Sequence, residues 1–293
     1  MRVTQAVALG RNGRIFRYLL GGTILFCGGL LLLIQALVLL DQSAQPRLLQ
    51  ALQAGLLCAS GTALGALPVL CMGNLSARMR DRLLGFGAGV MLAATVFSLL
   101  VPALEVAREQ GFSAWGAGAL ASIGVLLGVV AMHLLGRRLA QRQGEQSLAS
   151  GLVLFVIAIT AHNVPEGMAV GVAAGAGLSG AQGLAIGIAL QDMPEGLIVA
   201  LGLASAGMAR GKAVLIGVAS GLVEPLFAVL CAWLVGISQL LLPWGLALAA
   251  GAMLFVVIHE VVPESQREGH GSEACLALTA GFCLMMVLDT ALA

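Results

Sequence analysis

Charge is scarce in this chain. Asp, Glu, Lys and Arg together make up 10% of its 293 residues, against about 25% in a typical soluble domain. That shortage excludes an ordinary water-facing surface. Aromatic residues are few as well, 4% with a single tyrosine, so helices here have to pack through smaller side chains. The six cysteines (Cys27, Cys58, Cys71, Cys231, Cys275 and Cys283) form no CxxC pair. They read as small packing residues and say nothing of redox compartment. No GxxxxGK[ST] phosphate loop occurs, which argues against ATP hydrolysis. A net charge of +1 gives no footing for nucleic acid.

What the chain has in abundance is apolar sequence. Hydrophobic residues make up 59% and glycine contributes 40 positions, with a mean hydropathy of +1.00. Runs of twenty or more apolar residues recur, the length an α-helix needs to cross the hydrocarbon core. Nine spans are predicted, at 17–40, 51–73, 83–104, 112–135, 150–175, 182–204, 213–236, 243–263 and 273–292. Glycine-rich stretches such as Gly85–Gly89 and Gly171–Gly175 predict close helix contacts through small faces. Thirteen of the fifteen Lys and Arg residues fall in segments on one side of these spans, leaving Arg47 and Arg108 on the other. The positive-inside rule then predicts a cytoplasmic N-terminus and an outer C-terminus. The first span is too long for a signal peptide and reads as a retained anchor. It gives an accessory helix in residues 1–50, ahead of a domain at 51–293.

Against this apolar background one motif appears twice. His162-Asn163-Val164-Pro165-Glu166-Gly167 is followed 29 residues on by Gln191-Asp192-Met193-Pro194-Glu195-Gly196. A carboxylate at a helix centre costs roughly 2.5–3.5 kcal/mol on insertion scales, so two such clusters need a compensating partner. Glu224 is a fourth buried acid, and no Lys or Arg lies at comparable depth. Unpaired buried acids have to be protonated or bind a cation. Four ionised carboxylates match two divalent ions.

Helical spacing supports convergence. His162 and Glu166 are four residues apart, as are Gln191 and Glu195, so each pair shares a face. Asn163 and Asp192 are rotated about 100° onward, toward a neighbouring site. Pro165 and Pro194 each free a carbonyl four residues back, which bilayer depth tolerates only beside something polar. The two spans run in opposite directions, the usual arrangement of broken helices around a midplane transport site.

Further ionisable residues mark a route. Glu105 and Asp289 fall near the outer ends of their spans; His259, Glu260 and Glu264 fall toward the inner end of theirs, beside Pro263. Met91 offers a thioether. Each has a plain alternative: interface residues for Glu105 and Glu264, local pairing for Asp289, core packing for Met91. His133 and His270 read as solvated. An intramembrane metalloenzyme is the competing reading, but His259-Glu260-Val261-Val262-Pro263 lacks the second histidine of HExxH.

The paired HNxPEG-like motif, the Glu-Pro at 224–225 and the His-Glu at 259–260 resemble the ZIP family of divalent metal transporters, bacterial type, over residues 51–293. The resemblance implies an all-α polytopic membrane fold of eight core helices in an inverted 3+2+3 arrangement, with the first span as an addition. It implies transport of zinc or cadmium, with iron or manganese as alternatives, toward the cytoplasm across a bacterial inner membrane, and a homodimer. It assigns one metal site to His162, Glu166, Gln191, Glu195 and Met91. A second would use Asn163, Asp192 and Glu224, with Glu166 and Glu195 shared. His259 and Glu260 would serve release and Glu105 the entrance. The metal is cargo, and no prosthetic group is expected. Gln191 stands where many members carry histidine and Asp192 where many carry asparagine; oxygen in place of imidazole nitrogen hardens the first site.

Overall fold

The computed structural model describes residues 45–72, 75–143 and 148–292, with the side chains at 139–159 outside that description. The predicted span at 17–40, and with it the accessory helix, lies outside the described residues. Among the described residues every regular element is helical. They are α1 (Gln45–Ala66), α2 (Ala77–Ala93), α3 (Val101–Glu109), α4 (Ala114–Gln143), α5 (Leu148–Ala176), α6 (Ala181–Ser205), α7 (Arg210–Gly221), α8 (Val223–Ile237), α9 (Leu242–Val256), α10 (Val262–Ser265) and α11 (Gly271–Leu292). Joined where they run on, these build the eight predicted spans from 51 onward. Seven of them are long and apolar enough throughout to cross a membrane, and the chain is an all-α polytopic membrane protein.

Two boundaries differ from expectation. The first described helix begins at Gln45, ahead of the predicted start of that span at 51. Residues 136–143, expected to open a loop, continue α4; only 144–147 are left between α4 and α5.

Small residues set how the helices meet. On α1, methyl groups at Gly61 and Gly65 would collide with the carbonyls of Ala189 and Met193 on α6, and one at Gly196 with Thr62. Gly167, Gly171 and Gly175 press α5 against Glu224, Ala228 and Ala232 of α8 in the same way. Gly85 and Gly89 bring α2 onto α11, and Gly124 and Gly128 bring α4 onto α9. In each pair the spacing of four residues lines the glycines up one turn apart, which lets backbones approach where no hydrophobic driving force between helices exists.

The chain turns with glycine too. Gly177 and Gly207, at φ +69° and +91°, end α5 and α6 in the left-handed region, where the following amides reach back to Ala173 and Leu203 and satisfy carbonyls the helix leaves open. Replacing Gly177 by alanine should cost about 1 kcal/mol, the penalty of a Cβ in that region, read as a lowered melting temperature in detergent. An unchanged melting temperature would mean the turn relaxes.

Two helices are interrupted by wide turns that the sequence reading did not foresee. Ala94–Leu100 and Val257–Val261 are π-helical. Each is followed by Val-Pro, at Val101-Pro102 and Val262-Pro263. In both, the amide before the proline reaches five residues back, from Val101 to Val96 and from Val262 to Val257. Proline has no N–H to continue the ladder, and the wide turn absorbs the mismatch. Such turns cluster at functional sites.

At one end of the bundle α2 is tied to the segment after α10. Arg78 and Arg82 both grip Glu273, with Nε–O distances of 2.7 and 2.6 Å, and Arg80 holds Glu268 at 2.5 Å. His270, expected to be solvated, instead bonds Asp81 at 3.1 Å, and Asp81 is fully buried. The burial of that carboxylate comes with α11 lying along α2, a long-range contact that residue spacing does not report.

Candidate metal centre

Four helices bring the buried acids together. α5 contributes Asn163 and Glu166, α6 contributes Gln191, Asp192 and Glu195, and α8 opens on Glu224. α1 supplies Thr62. The antiparallel halves of the repeated motif meet directly: Gln191 Nε2 donates to Glu166 Oε1 at 2.7 Å. Glu224 Oε1 accepts from Thr62 Oγ1 at 3.2 Å and from Asn163 Nδ2 at 3.1 Å. Asn163, Glu166, Gln191, Asp192 and Glu224 are all at most 2% exposed.

These hydrogen bonds use only one side of each group. Asn163 Oδ1, Glu166 Oε2, Gln191 Oε1, Asp192 Oδ2 and Glu224 Oε2 are buried with no hydrogen-bond partner. Orphaned buried oxygens are rare in folded proteins, and five gathered in one place form a set of acceptors suited to a cation. Two triads of ligand atoms lie within 4.8 Å of one another, Glu166 with Asp192 and Glu195, and Cys58 with Asp192 and Glu224. Asp192 belongs to both. The family resemblance implies Glu166 and Glu195 as the shared carboxylates, and here Asp192 lies with both groups. The sequence reading had Cys58 as a packing residue.

A cavity of about 780 Å³ adjoins the first triad, lined by Met91, His162, Gln191, Glu195, His259, Glu260 and Glu264. It extends to Arg80 and Arg267, at the arginine-rich end of the bundle. His162 Nε2 bonds Glu260, so the motif on α5 is joined to the wide turn after α9. His259 stacks on Phe255 with ring centroids 4.7 Å apart. The adjacent residues His259 and Glu260 of the wide turn both line the cavity. Glu264 pairs with Arg267 at 3.1 Å near the mouth.

Away from this mouth, buried side chains pack beyond the site. Leu184 and Ile188, on α6 between the site and the far end, are fully buried, as is Met285, whose Sδ packs on Gly187. Beyond them lies a separate cavity of about 450 Å³ lined by Gln50, Gln53, Ser179 and Gln182 among others. Asp289 accepts from Ser98 Oγ at 2.6 Å, near the first wide turn. Glu105 is exposed and lines neither cavity.

The structure therefore gathers ten of the residues named from sequence around one centre and its cavity, with Glu264 at the mouth, and leaves Glu105 and Asp289 apart. Cys58 and Thr62 also lie at this centre and were not named as site residues from sequence. Their spacing, four residues apart among Gly55, Gly61 and Gly65, shows a shared face of α1 but not what that face meets.

The chain resembles known proteins over most of its length. The sequence signature described as ZIP Zinc transporter matches residues 140–289. The zinc transporter GufA of Myxococcus xanthus is 40% identical over 253 residues, covering 82% of this chain and 98% of that protein. Zinc transporter ZIPB of Bordetella bronchiseptica is 43% identical over 244 residues, covering 80% and 78%. Human zinc transporter ZIP11 is 32% identical, covering 79% and 94%. These relatives are named as transporters rather than enzymes. With the family signature over residues 140–289 and a relative 40% identical across 82% of this chain and 98% of its own length, the chain belongs to the ZIP zinc transporter family.

Proposed function

We propose that this protein moves divalent metal cations, zinc or cadmium first among them, across a bacterial inner membrane toward the cytoplasm by alternating access. The observation that carries the reading is the set of five buried, unpartnered oxygens in and around two overlapping triads, beside a cavity that reaches the arginine-rich end. The relatives' names point to zinc; the oxygen of Gln191 in place of an imidazole leaves room for the harder iron and manganese.

A divalent ion entering the first triad meets Glu166, Asp192 and Glu195, whose charge offsets the loss of its hydration shell. Met91 and His162 flank that position. Asp192 links it to a second position at Glu224 and Asn163, giving a binuclear site. On the cavity side His162 is already engaged with Glu260, and His259, Glu260 and Glu264 form a graded series of ligands toward the mouth. The arginine-rich end is the cytoplasmic one by the positive-inside rule, which puts the N-terminus inside and the C-terminus outside. The bundle is then open inward and sealed outward. α1, α5, α6 and α8 interlock through glycine, whereas α2 pairs with α11 and α4 with α9. The first group carries the site and shifts as a block against the second. Residues 51–293 are the transporting domain and 1–50 the accessory helix. A homodimer completes the reading, with the apolar exposed face of α4 (Leu126, Leu127, Val130) available to lipid or to a second copy.

Purified protein in lipid vesicles should accumulate zinc and cadmium with no co-substrate consumed. Competition by iron and manganese across several pH values should rank the cargo and reveal proton coupling. Stoichiometric metal binding without flux would sink the proposal.

A further inference from the structure

Cys58 lies at the centre of the helix contacts that build the second triad. α1 is held against α6 by Gly61 and Gly65, and against α8 by Gly55, where an added methyl would sit 2.5 Å from Pro225 Cα. Wedged between those two helices, Cys58 is fully buried. Its Sγ is within 4.8 Å of ligand atoms of Asp192, from α6, and Glu224, from α8. Its present partner is weak, the carbonyl of Ala185 at 3.6 Å. Asp192 Oδ2 and Glu224 Oε2, on either side, have no partner at all, although both side chains are at most 1% exposed. One turn along α1, Thr62 donates to the other oxygen of Glu224, so α1 both orients that carboxylate and places a sulfur beside it.

From this geometry we infer that Cys58 is a metal ligand of the second site, completing a mixed set of one sulfur and the carboxylates of Asp192 and Glu224. The inference rests on the metal-transport reading above and adds the donor that sets its selectivity. On binding, the metal–sulfur bond forms as the S–H proton leaves to water, because the thiolate is the ligating species. Thiolate favours zinc and cadmium over manganese and iron. The centre thus divides its chemistry. The first position is hardened by the amide oxygen of Gln191, and the second is softened by Cys58. Soft character lost from α6 is restored from α1. In a bilayer interior a buried cysteine is ordinarily a small packing residue; here its neighbours are two unpartnered carboxylates rather than hydrocarbon.

Cobalt is a suitable probe, since thiolate coordination gives it an intense near-ultraviolet charge-transfer band that oxygen ligands do not. Full-length protein in detergent, titrated with Co²⁺, should develop that band, and Cys58→Ser should lose it while still binding metal. The same variant should transport zinc but show its preference for Cd²⁺ over Mn²⁺ reduced ~10-fold or more, the range that changes near a metal produce. A complementary variant, with alanine at the other five cysteines and Cys58 kept, should retain the band; it decides the matter if Cys58→Ser does not fold. Cobalt binding without a band in the wild type, or a band that survives Cys58→Ser, would overturn the assignment while leaving transport intact. Failure of the wild-type protein to bind or move any divalent ion would instead remove the transport reading beneath it.

Discussion

Glu195→Ala and His162→Ala should each abolish uptake of radiolabelled zinc or cadmium into proteoliposomes. Glu195 stands in the first triad with Glu166 and Asp192 and faces the cavity, so it is the carboxylate between the buried centre and the way out. Without it the triad keeps two of its three carboxylates, and less charge offsets the ion's loss of hydration. His162 is joined to Glu260 and connects the centre with the ligands of the wide turn. Its removal strands an ion that has been bound, or prevents binding. Changes to groups that only support a ligand already cost ~10–100-fold in metal affinity, and these two stand nearer the ion than that. The measurement is uptake at matched protein levels, with metal binding recorded in parallel. Wild-type uptake in both variants would dismiss the centre as the transport site.

Gly196→Val should prevent the chain from reaching its folded state in useful amounts. A Cβ at Gly196 would overlap the Thr62 carbonyl, with the carbonyl carbon 2.9 Å away. Backbone cannot step aside as a flexible side chain can. Parting α1 from α6 there also disturbs Gly61 and Gly65, both within one turn of Thr62 on α1, and Thr62 itself, which orients Glu224. Overpacking typically costs about 1–3 kcal/mol and sometimes more, and here one substitution pushes on three contacts. Size-exclusion chromatography of detergent-solubilised protein should show aggregate in place of a single peak. A monodisperse variant with wild-type melting temperature would mean the helices are less tightly interlocked than the glycine contacts indicate. Thr62→Ala, which removes the hydroxyl but not the contact, should leave the peak intact.

These expectations draw unequally on sequence and structure. The eight spans after residue 50 were readable because apolar runs of bilayer length admit few alternatives, and the repeated Pro-Glu-Gly motif was readable because acids at such depth are costly. Opposite span directions even placed the two copies face to face, as the Gln191–Glu166 bond realises. The contribution of α1 was not readable. Cys58 and Thr62 carry no signal by themselves, and their nearness to Glu224 depends on helix rotation set by glycines on three helices at once. The Asp81–His270 pair was hidden for the same reason. Two residues 189 positions apart meet only because α11 lies along α2.

The wide turns were also unreadable as such, although Val-Pro marks both. Each holds one residue more per turn than a regular helix, so each behaves as an insertion that the helix has accommodated instead of expelling. Side chains before and after Val257–Val261 no longer follow one periodicity. A relative lacking the extra residue would align well with this chain on either side of the turn, yet display a different face at the positions of His259 and Glu260. Comparison of such chains at these positions therefore has to count from the turn, not from the start of the helix.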